Sequence, residues 1–380
     1  MEWGSWVLVR PDALTVWRDP EVRRRLSWYL AVMTGRRPAK FMIAKRIPAP
    51  GLDGPEDLAG AGEGDLWRIH DRASREFQRV WREVREGSLS LGDLGRPRVS
   101  LLDVKAELAR RLASPCRLCE RRCMVERARG RVGACRLAWE VYVHSAFLHL
   151  GEEAPLVPSG TIFYGGCNFT CVYCQNYDIS QASPRSGVIV DARRLARIQE
   201  ALASRGARNI NHVGGEPTPS LHVIIDSLRY LDTSIPQLWN SNFYMSLEAM
   251  KLLVDVIDIW LPDFKYGNND CARRLSAVPR YWEVVTRNLR IAVEHGDMII
   301  RHLVLPGHLE CCTRRILEWI ARNLPKDRIL VNIMDQYRPM HLVARYPGRW
   351  PDIARRPTLR EVEAARELAS RLGILWEPVS

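Results

Sequence analysis

The 380-residue sequence predicts an α/β protein: a partial barrel of six parallel strands alternating with helices. A mainly helical N-terminal extension and a short four-cysteine metal-binding segment precede the barrel. Three observations carry this reading. From about residue 160, apolar runs suited to strands alternate with helical patterns, which implies right-handed βαβ units and a parallel sheet. Residues 1–110 instead show helical stretches and hold six of the thirteen tryptophans. Between these zones, "CRLCERRCMVERARGRVGAC" crowds four cysteines into positions 116–135.

In the extension (1–110), one helix is expected over 20–34 and another in "LWRIHDRASREFQRVWREVREG". There Leu66, Ile69, Phe77, Val80, Trp81 and Val84 fall largely on one stripe, the pattern of a packing face. "IPAPGLDGPEDLAGAGEGD" between them reads as a Pro/Gly-rich connector. The four-cysteine segment takes 111–150 and the barrel 151–380. Strand runs lie at 161–164, 209–213, 237–243, 258–264, 298–305 and 328–334, with helices such as 192–204, 220–231, 246–257, 281–295 and 313–323 between them. Six strands suit an open, incomplete barrel and are too few for a closed eight-stranded one. A last helix near 358–372 precedes "ILWEPV", which reads as an added strand.

The net charge of +12 leaves contact with nucleic acid open without favouring it, because the excess is spread along the chain and is almost all arginine. Lysine occurs only at 40, 45, 105, 251, 265 and 326, so a lysine inside a motif stands out. "MEWGSWVLVRPDALTVW" lacks the layout of a signal peptide, and no apolar run approaches the roughly 18–20 residues of a membrane span. Ten cysteines in such a chain point to a reducing cytoplasm, where clustered thiols more often mean metal than disulfide. There is no Walker-type phosphate loop and no serine-hydrolase elbow.

The chemistry concentrates in "GGCNFTCVYCQNYDIS", where Cys167, Cys171 and Cys174 are separated by three residues and then two. A cubane iron–sulfur cluster has four irons, each wanting a terminal ligand. Three thiolates leave one iron open to a small molecule, as catalytic zinc sites keep an open position. Parallel sheets bind ligands at the carboxyl ends of their strands. The motifs fall there: the triad follows "TIFY", "GGEPTPS" follows "INHV", "NSN" interrupts the third run, "DFK" ends the fourth and "PGH" ends the fifth.

Cys167-x3-Cys171-x2-Cys174, with an aromatic Tyr173 before the last cysteine, resembles the signature of the radical S-adenosylmethionine (SAM) enzymes. The wider run "GTIFYGGCNFTCVYCQNYDIS", with "CRLCERRC" upstream, is similar to the branch around the pyruvate formate-lyase activating enzyme; the resemblance covers about 116–375. It implies a TIM-like radical SAM barrel and an oxidoreductase in which a [4Fe–4S] cluster reduces SAM. The resulting 5′-deoxyadenosyl radical takes a hydrogen atom from a substrate. The chemistry belongs to the cofactors, with no catalytic residue beyond them. For this branch the resemblance implies glycyl-radical activation of a protein partner, and an electron donor such as ferredoxin or flavodoxin.

The resemblance also assigns cofactor contacts. Tyr173 would lie near the adenine, Gly214 and Gly215 would let backbone carbonyls approach the SAM ammonium, and Glu216 would accept from it. Asn240 and Ser241 of "NSN" stand where relatives contact ammonium and ribose, although many have an acidic residue or Thr-Asn-Gly there. Asp263 and Lys265 of "PDFKY" resemble the Asp-x-Lys of the activating enzymes and share a face because strand side chains alternate. The bland readings are a turn, a polar strand end and a buried ion pair. Arg301, Val304 and His308 of "RHLVLPGH" are further candidates, Val304 toward adenine, as are Gln336 and Tyr337 of "MDQYRP".

Cys116, Cys119, Cys123 and Cys135 supply a complete set of four thiolates, which suits structural zinc or a second iron–sulfur cluster. Neighbouring Arg117, Arg121, Arg122 and Arg136 would favour the thiolates. The activating enzymes with a ferredoxin-like insert usually carry eight cysteines, so this chain departs from them. Cys271, Cys311 and Cys312 have no motif around them and read as small buried residues. His144, His149, His212, His222, His302 and His341 read as core or surface residues. Two alternatives stay open: radical SAM modification of RNA, and a non-catalytic metal-binding interaction protein.

Overall fold

The structure, a computed structural model, describes residues 6–380; the part of the N-terminal reading that rests on residues 1–5, Trp3 included, lies outside them. One eight-stranded sheet organises the described residues. Its strands are β1 (Val141–His149), β2 (Ser159–Tyr164), β3 (Val188–Val190), β4 (Ile210–Gly214), β5 (Gln237–Ser241), β6 (Ile259–Pro262), β7 (Asp297–Leu303) and β8 (Ile329–Met334), in the order β3-β1-β2-β4-β5-β6-β7-β8. From β2 through β8 every pairing is parallel, with helices between successive strands, so the six predicted parallel strands are present. Among the described residues no strand joins β8 back to β2, so the barrel is open.

Two strands were not expected. β1 pairs antiparallel with β2, and the three-residue β3 pairs antiparallel with β1. β1 falls in the stretch assigned to the cysteine segment, and β3 is too short for a periodic signal. The reverse holds at the C-terminus. "ILWEPV" does not add a strand: Val331 N donates once to Leu375 O (3.1 Å), and the chain then enters a 3-10 turn at Glu377–Val379.

Alternation along the strands divides the barrel interior into two layers. The lower layer is apolar: Leu238, Ile259, Leu261, Ile299 and Leu330 cluster with Val22, Leu26 and Tyr29 of the extension and with Leu156. Two residues further along each strand the side chains become polar: Asn240, Asp263, Arg301 and Asn332 line a cavity. The extension therefore closes the bottom of the barrel. Its attachment there is also polar, with Trp28 Nε1 donating to Asp258 Oδ1 (2.8 Å) and Tyr29 N to Asp297 Oδ2 (2.7 Å). Burying an apolar side chain stabilises by about 1.5–3 kcal/mol, so these few contacts are substantial.

The helix Glu63–Glu86 follows from the predicted stripe: Leu66, Phe77, Val80, Trp81 and Val84 are buried, and it stops at Gly87, which takes φ +90°. It and the helix Leu101–Ala113, started by the Ser100–Asp103 capping box, cover the outside of the barrel. There a buried Lys105 Nζ pairs with Asp255 Oδ2 (2.7 Å). No helix of the described residues is long and apolar enough to cross a membrane.

Candidate functional site

A cavity of 790 Å³ opens at the carboxyl ends of the parallel strands. Cys167, Cys171, Tyr173 and Cys174 reach it from the loop after β2, and Gly214, Gly215 and Glu216 from the end of β4. Asn240 and Ser241 come from β5, Asp263 and Lys265 from beyond β6, Arg301 from β7, and Gln336 and Tyr337 from beyond β8. The fold thus brings these predicted residues to one space. Val304 and His308 do not line it: Val304 is fully buried, and His308 faces three cysteines elsewhere. The chain turns away after Leu303, which takes both residues out of reach of the cavity.

Each triad sulfur has a neighbour that can hydrogen-bond it. Phe169 N donates to Cys167 Sγ (3.3 Å), Ser276 Oγ to Cys171 Sγ (2.9 Å), and Ser180 Oγ lies 3.3 Å from Cys174 Sγ. Such contacts tune the potential of a cluster held by these sulfurs. Burial pushes the Cys167 thiol well above its ordinary range, and Glu216 adds to the effect. Burial also pushes Cys171 up, to about 11, against the pull of the Lys265 ammonium.

The glycines of GGEP are required on their β2 side. A Cβ on Gly214 would overlap the Tyr164 backbone, and one on Gly215 would overlap Gly166 O in the triad loop. Gly214 also takes φ +117°, which disfavours any side chain. Glu216 is buried, and its carboxylate accepts from Ser241 Oγ (2.6 Å), Asn242 N (2.9 Å) and Thr218 Oγ1. Burial still pushes its pKa up. The Ser241 hydroxyl is thus committed to Glu216.

Arg301 organises the opposite wall. Its Nε donates to Asp263 Oδ1 (2.8 Å), Nη2 donates to Asn240 Oδ1, and Nη1 lies 3.5 Å from Glu152 Oε2. Lys265 Nζ donates to the other Asp263 oxygen (2.7 Å). Burial opposes the Asp263 charge, yet Arg301 and Lys265 outweigh it and hold the carboxyl below its ordinary range. For Lys265, burial is likewise outweighed, by Asp263 and Cys171, and its pKa rises. A guanidinium only donates, so the Asn240 oxygen faces Arg301, and its amide nitrogen is left buried without a partner.

Glu152 and Glu153 lie outside every motif but line the cavity; Asn211 of β4 donates to Glu152 (2.9 Å) and Asn332 of β8 to Glu153 (2.9 Å). Burial raises the Glu153 pKa. Arg10, Asp12, His149 and residues 378–380 complete this side. The doublet "EE" ahead of β2 was the only available signal, and it precedes its strand rather than following it.

The upstream cysteines pack beside the triad loop: a Cβ on Gly166 would meet Cys135 O at 2.7 Å. All four are free thiols. The arginines expected to favour their thiolates are largely engaged elsewhere: Arg117 with Glu63, Arg121 with two carbonyls, and Arg122 with Glu248. The charge that lowers the Cys135 pKa is the buried Arg127, although burial dominates and raises it overall. The histidines mostly take core roles: His212 bonds Tyr164 OH (2.8 Å), His222 bonds Trp139 O (3.0 Å) and His302 bonds Phe264 O (2.9 Å).

Residues 161–320 match the Radical SAM superfamily, so the chain carries a radical SAM domain. A domain of that superfamily implies a [4Fe–4S] cluster and SAM as cofactors. Over 355 residues the chain is 42% identical to the uncharacterized protein MJ0674 of Methanocaldococcus jannaschii, across 92% of this chain and 98% of that one. It is 24% identical over 286 residues to MJ0808 of the same organism, across 69% and 79% of the two chains. Among solved structures, it is similar to a radical SAM methyltransferase from Sphaerobacter thermophilus (14% identity, 57% of this chain and 65% of that one, TM-score 0.41). It is also similar to Streptococcus suis SuiB bound to precursor peptide SuiA (14% identity, 54% and 43%, TM-score 0.39). The chain spans less than two thirds of either solved chain.

The residues present fit both cofactors. The cysteines lining the cavity are the three of the triad, soft donors suited to iron–sulfur ligation. Beside them, Asn240 Nδ2 and Glu153 Oε2 are buried without partners, as in a site that takes a polar ligand.

Proposed function

We propose that Cys167, Cys171 and Cys174 hold the [4Fe–4S] cluster and that the adjoining polar wall binds SAM, for hydrogen-atom abstraction from a glycine of a protein partner. The observation that carries the reading is the convergence of three thiols and the Asn240–Asp263–Lys265–Arg301 array on one cavity. Held by these three thiolates, the cluster would supply one-electron reduction of SAM, with the electron from a reduced ferredoxin or flavodoxin, giving methionine and an adenosyl fragment able to take a hydrogen atom from substrate.

The chain's own groups bind and orient. Asp263, kept ionised by Arg301 and Lys265, accepts from ribose hydroxyls. Asn240 has its amide nitrogen free, a donor for an acceptor such as a carboxylate or ribose oxygen. Glu216, facing the cavity with its carboxylate held by Ser241 and Thr218, is the fixed anion for the ammonium. Tyr173 is fixed by Tyr266 OH (2.7 Å) and by the edge of Tyr337 at 5.6 Å, giving an apolar face for adenine.

The glycyl target rests on the motif resemblance. It is tested by incubating the reconstituted protein, SAM and reduced flavodoxin with a glycyl-radical enzyme carrying α-deuterated glycine. Deuterium is expected in the 5′-deoxyadenosine. SAM cleavage without deuterium transfer would remove the glycyl target and leave the SAM site standing.

A further inference from the structure

Outside the cavity, the structure gathers a second set of ligand atoms that no motif announced. Cys271 lies in the helix Asn269–Ser276 after β6, and His308, Cys311 and Cys312 lie at a π-helical turn, Leu309–Arg314, after β7. Their four ligand atoms all fall within 4.8 Å of one another. We propose that Cys271, His308, Cys311 and Cys312 form a structural zinc site of three thiolates and one imidazole.

The spacing is that of a single tetrahedral ion. Zinc–sulfur and zinc–nitrogen bonds of about 2.3 and 2.0–2.1 Å give tetrahedral edges of about 3.8 Å between sulfurs and about 3.6 Å from sulfur to nitrogen. The observed sulfur–sulfur distances are 3.9 Å for Cys271–Cys311 and 3.9 Å for Cys311–Cys312. His308 Nδ1 lies 3.6, 3.3 and 3.6 Å from the sulfurs of Cys271, Cys311 and Cys312. Three sulfurs around one imidazole nitrogen leave room for one ion and are too close for the corners of a cubane. A disulfide, at about 2.05 Å between sulfurs, would have no use for the histidine.

The surroundings supply what such a site needs. His308 Nε2 lies 2.9 Å from Asp352 Oδ2, the carboxylate–histidine arrangement that leaves Nδ1 facing the metal. Arg274 Nη2 also approaches His308 Nε2 (3.0 Å) and is paired with Asp352. Asn268 Nδ2 donates to Cys271 Sγ (3.3 Å) and to Cys311 O (2.9 Å), tying the two segments together. Gly267 permits their approach, since a Cβ there would meet Cys311 O at 2.7 Å. Cys312 and His308 are buried while Cys271 and Cys311 are partly exposed, which leaves a path of entry.

The site also bears on the triad. The far end of the Cys271 helix accepts from the triad loop, Thr170 N to Ser276 O (3.1 Å) and Val172 N to Leu275 O (2.9 Å). Ser276 Oγ donates to Cys171 Sγ. The zinc thus anchors one end of an eight-residue helix whose other end positions a cluster ligand.

The test uses the full chain, purified anaerobically and digested after alkylation. In the native protein, Cys271 and Cys311 should alkylate at least about tenfold more slowly before zinc is stripped by a chelator than after. Zinc X-ray absorption of Cys119→Ser, in which the 116–135 thiolate set is broken, should show a shell of about three sulfurs and one nitrogen. Cys311→Ser should lose one zinc per chain, whereas Cys119→Ser should leave this site's protection intact, which separates it from any metal at 116–135. Asp352→Asn should keep the zinc with about 10–100-fold weaker affinity, and His308→Cys should retain it. Equal alkylation with and without chelation, or a disulfide joining any two of these cysteines, would overturn the proposal. Neither readout depends on SAM cleavage.

Discussion

Arg301 shows how much of the cavity hangs on one side chain. It bonds Asp263 and Asn240 and faces Glu152, so removing it leaves several buried polar groups uncompensated. Arg301→Met is expected to destabilise the fold by about 3–5 kcal/mol in chemical denaturation and to weaken SAM binding by at least about tenfold in calorimetry. At the floor of the barrel, burial raises the Asp297 carboxyl to about 7, against backbone donation from Tyr29 and the charge of Arg85. Between the ordinary carboxylate range and pH 7, the native chain therefore holds a proton that the unfolded chain has released. Stability conferred by that proton is present at low pH and lost as pH rises through this window. Asp297→Asn should flatten this slope and add on the order of a few kcal/mol at pH 7 relative to the parent, measured by urea denaturation at pH 4 and 7. The cavity motifs could be read at this scale because each follows a strand end, where a parallel sheet places its ligands. His308, Cys271, Cys311 and Cys312 could not, since their meeting depends on a short helix and a π-helical turn packing together across 37 residues of sequence.

Among the elements, the extension is joined to the barrel by a buried ion pair. Lys105 and Asp255 have fully buried side chains, and the carboxylate also accepts from Ser74 Oγ (2.7 Å) and Gln78 Nε2 (2.6 Å) of the helix Glu63–Glu86. Lys105→Met should cost about 3–5 kcal/mol by leaving Asp255 charged and short of partners. The double variant Lys105→Met/Asp255→Leu should recover part of that loss, and equal midpoints for the single variant and the parent in a denaturation series would contradict the assignment. The helix itself was legible because its apolar stripe keeps one period over about five turns, from Leu66 to Val84. The six parallel strands were legible for a related reason: each is a short apolar run set off by a helix. β1 was not, because only Val141 and Val143 of its nine residues are buried and it follows directly on a cysteine-rich loop. The C-terminal "ILWEPV" has a strand's composition, yet its backbone makes a single bond to β8 before Pro378 turns it into a 3-10 segment.

At the scale of the whole molecule, one barrel interior carries two solvents, an apolar floor and a polar chamber, separated by two residues of strand. The floor is completed by Val22, Leu26 and Tyr29 of the extension. A chain lacking residues 6–44 should expose that layer, bind a hydrophobic dye and aggregate in light scattering. A monomeric, dye-silent product would show that the floor closes without them. In the chamber, three thiols are proposed to share one cluster whose fourth corner receives SAM. The most direct measurement is anaerobic reconstitution of the parent and Cys171→Ala, followed by iron and sulfide analysis and quantitation of 5′-deoxyadenosine after adding reductant and SAM. About four iron and four sulfide are expected at the triad of the parent, with nucleoside release that Cys171→Ala abolishes. Undiminished release from Cys171→Ala, or a parent that assembles no cluster at the triad, would contradict it.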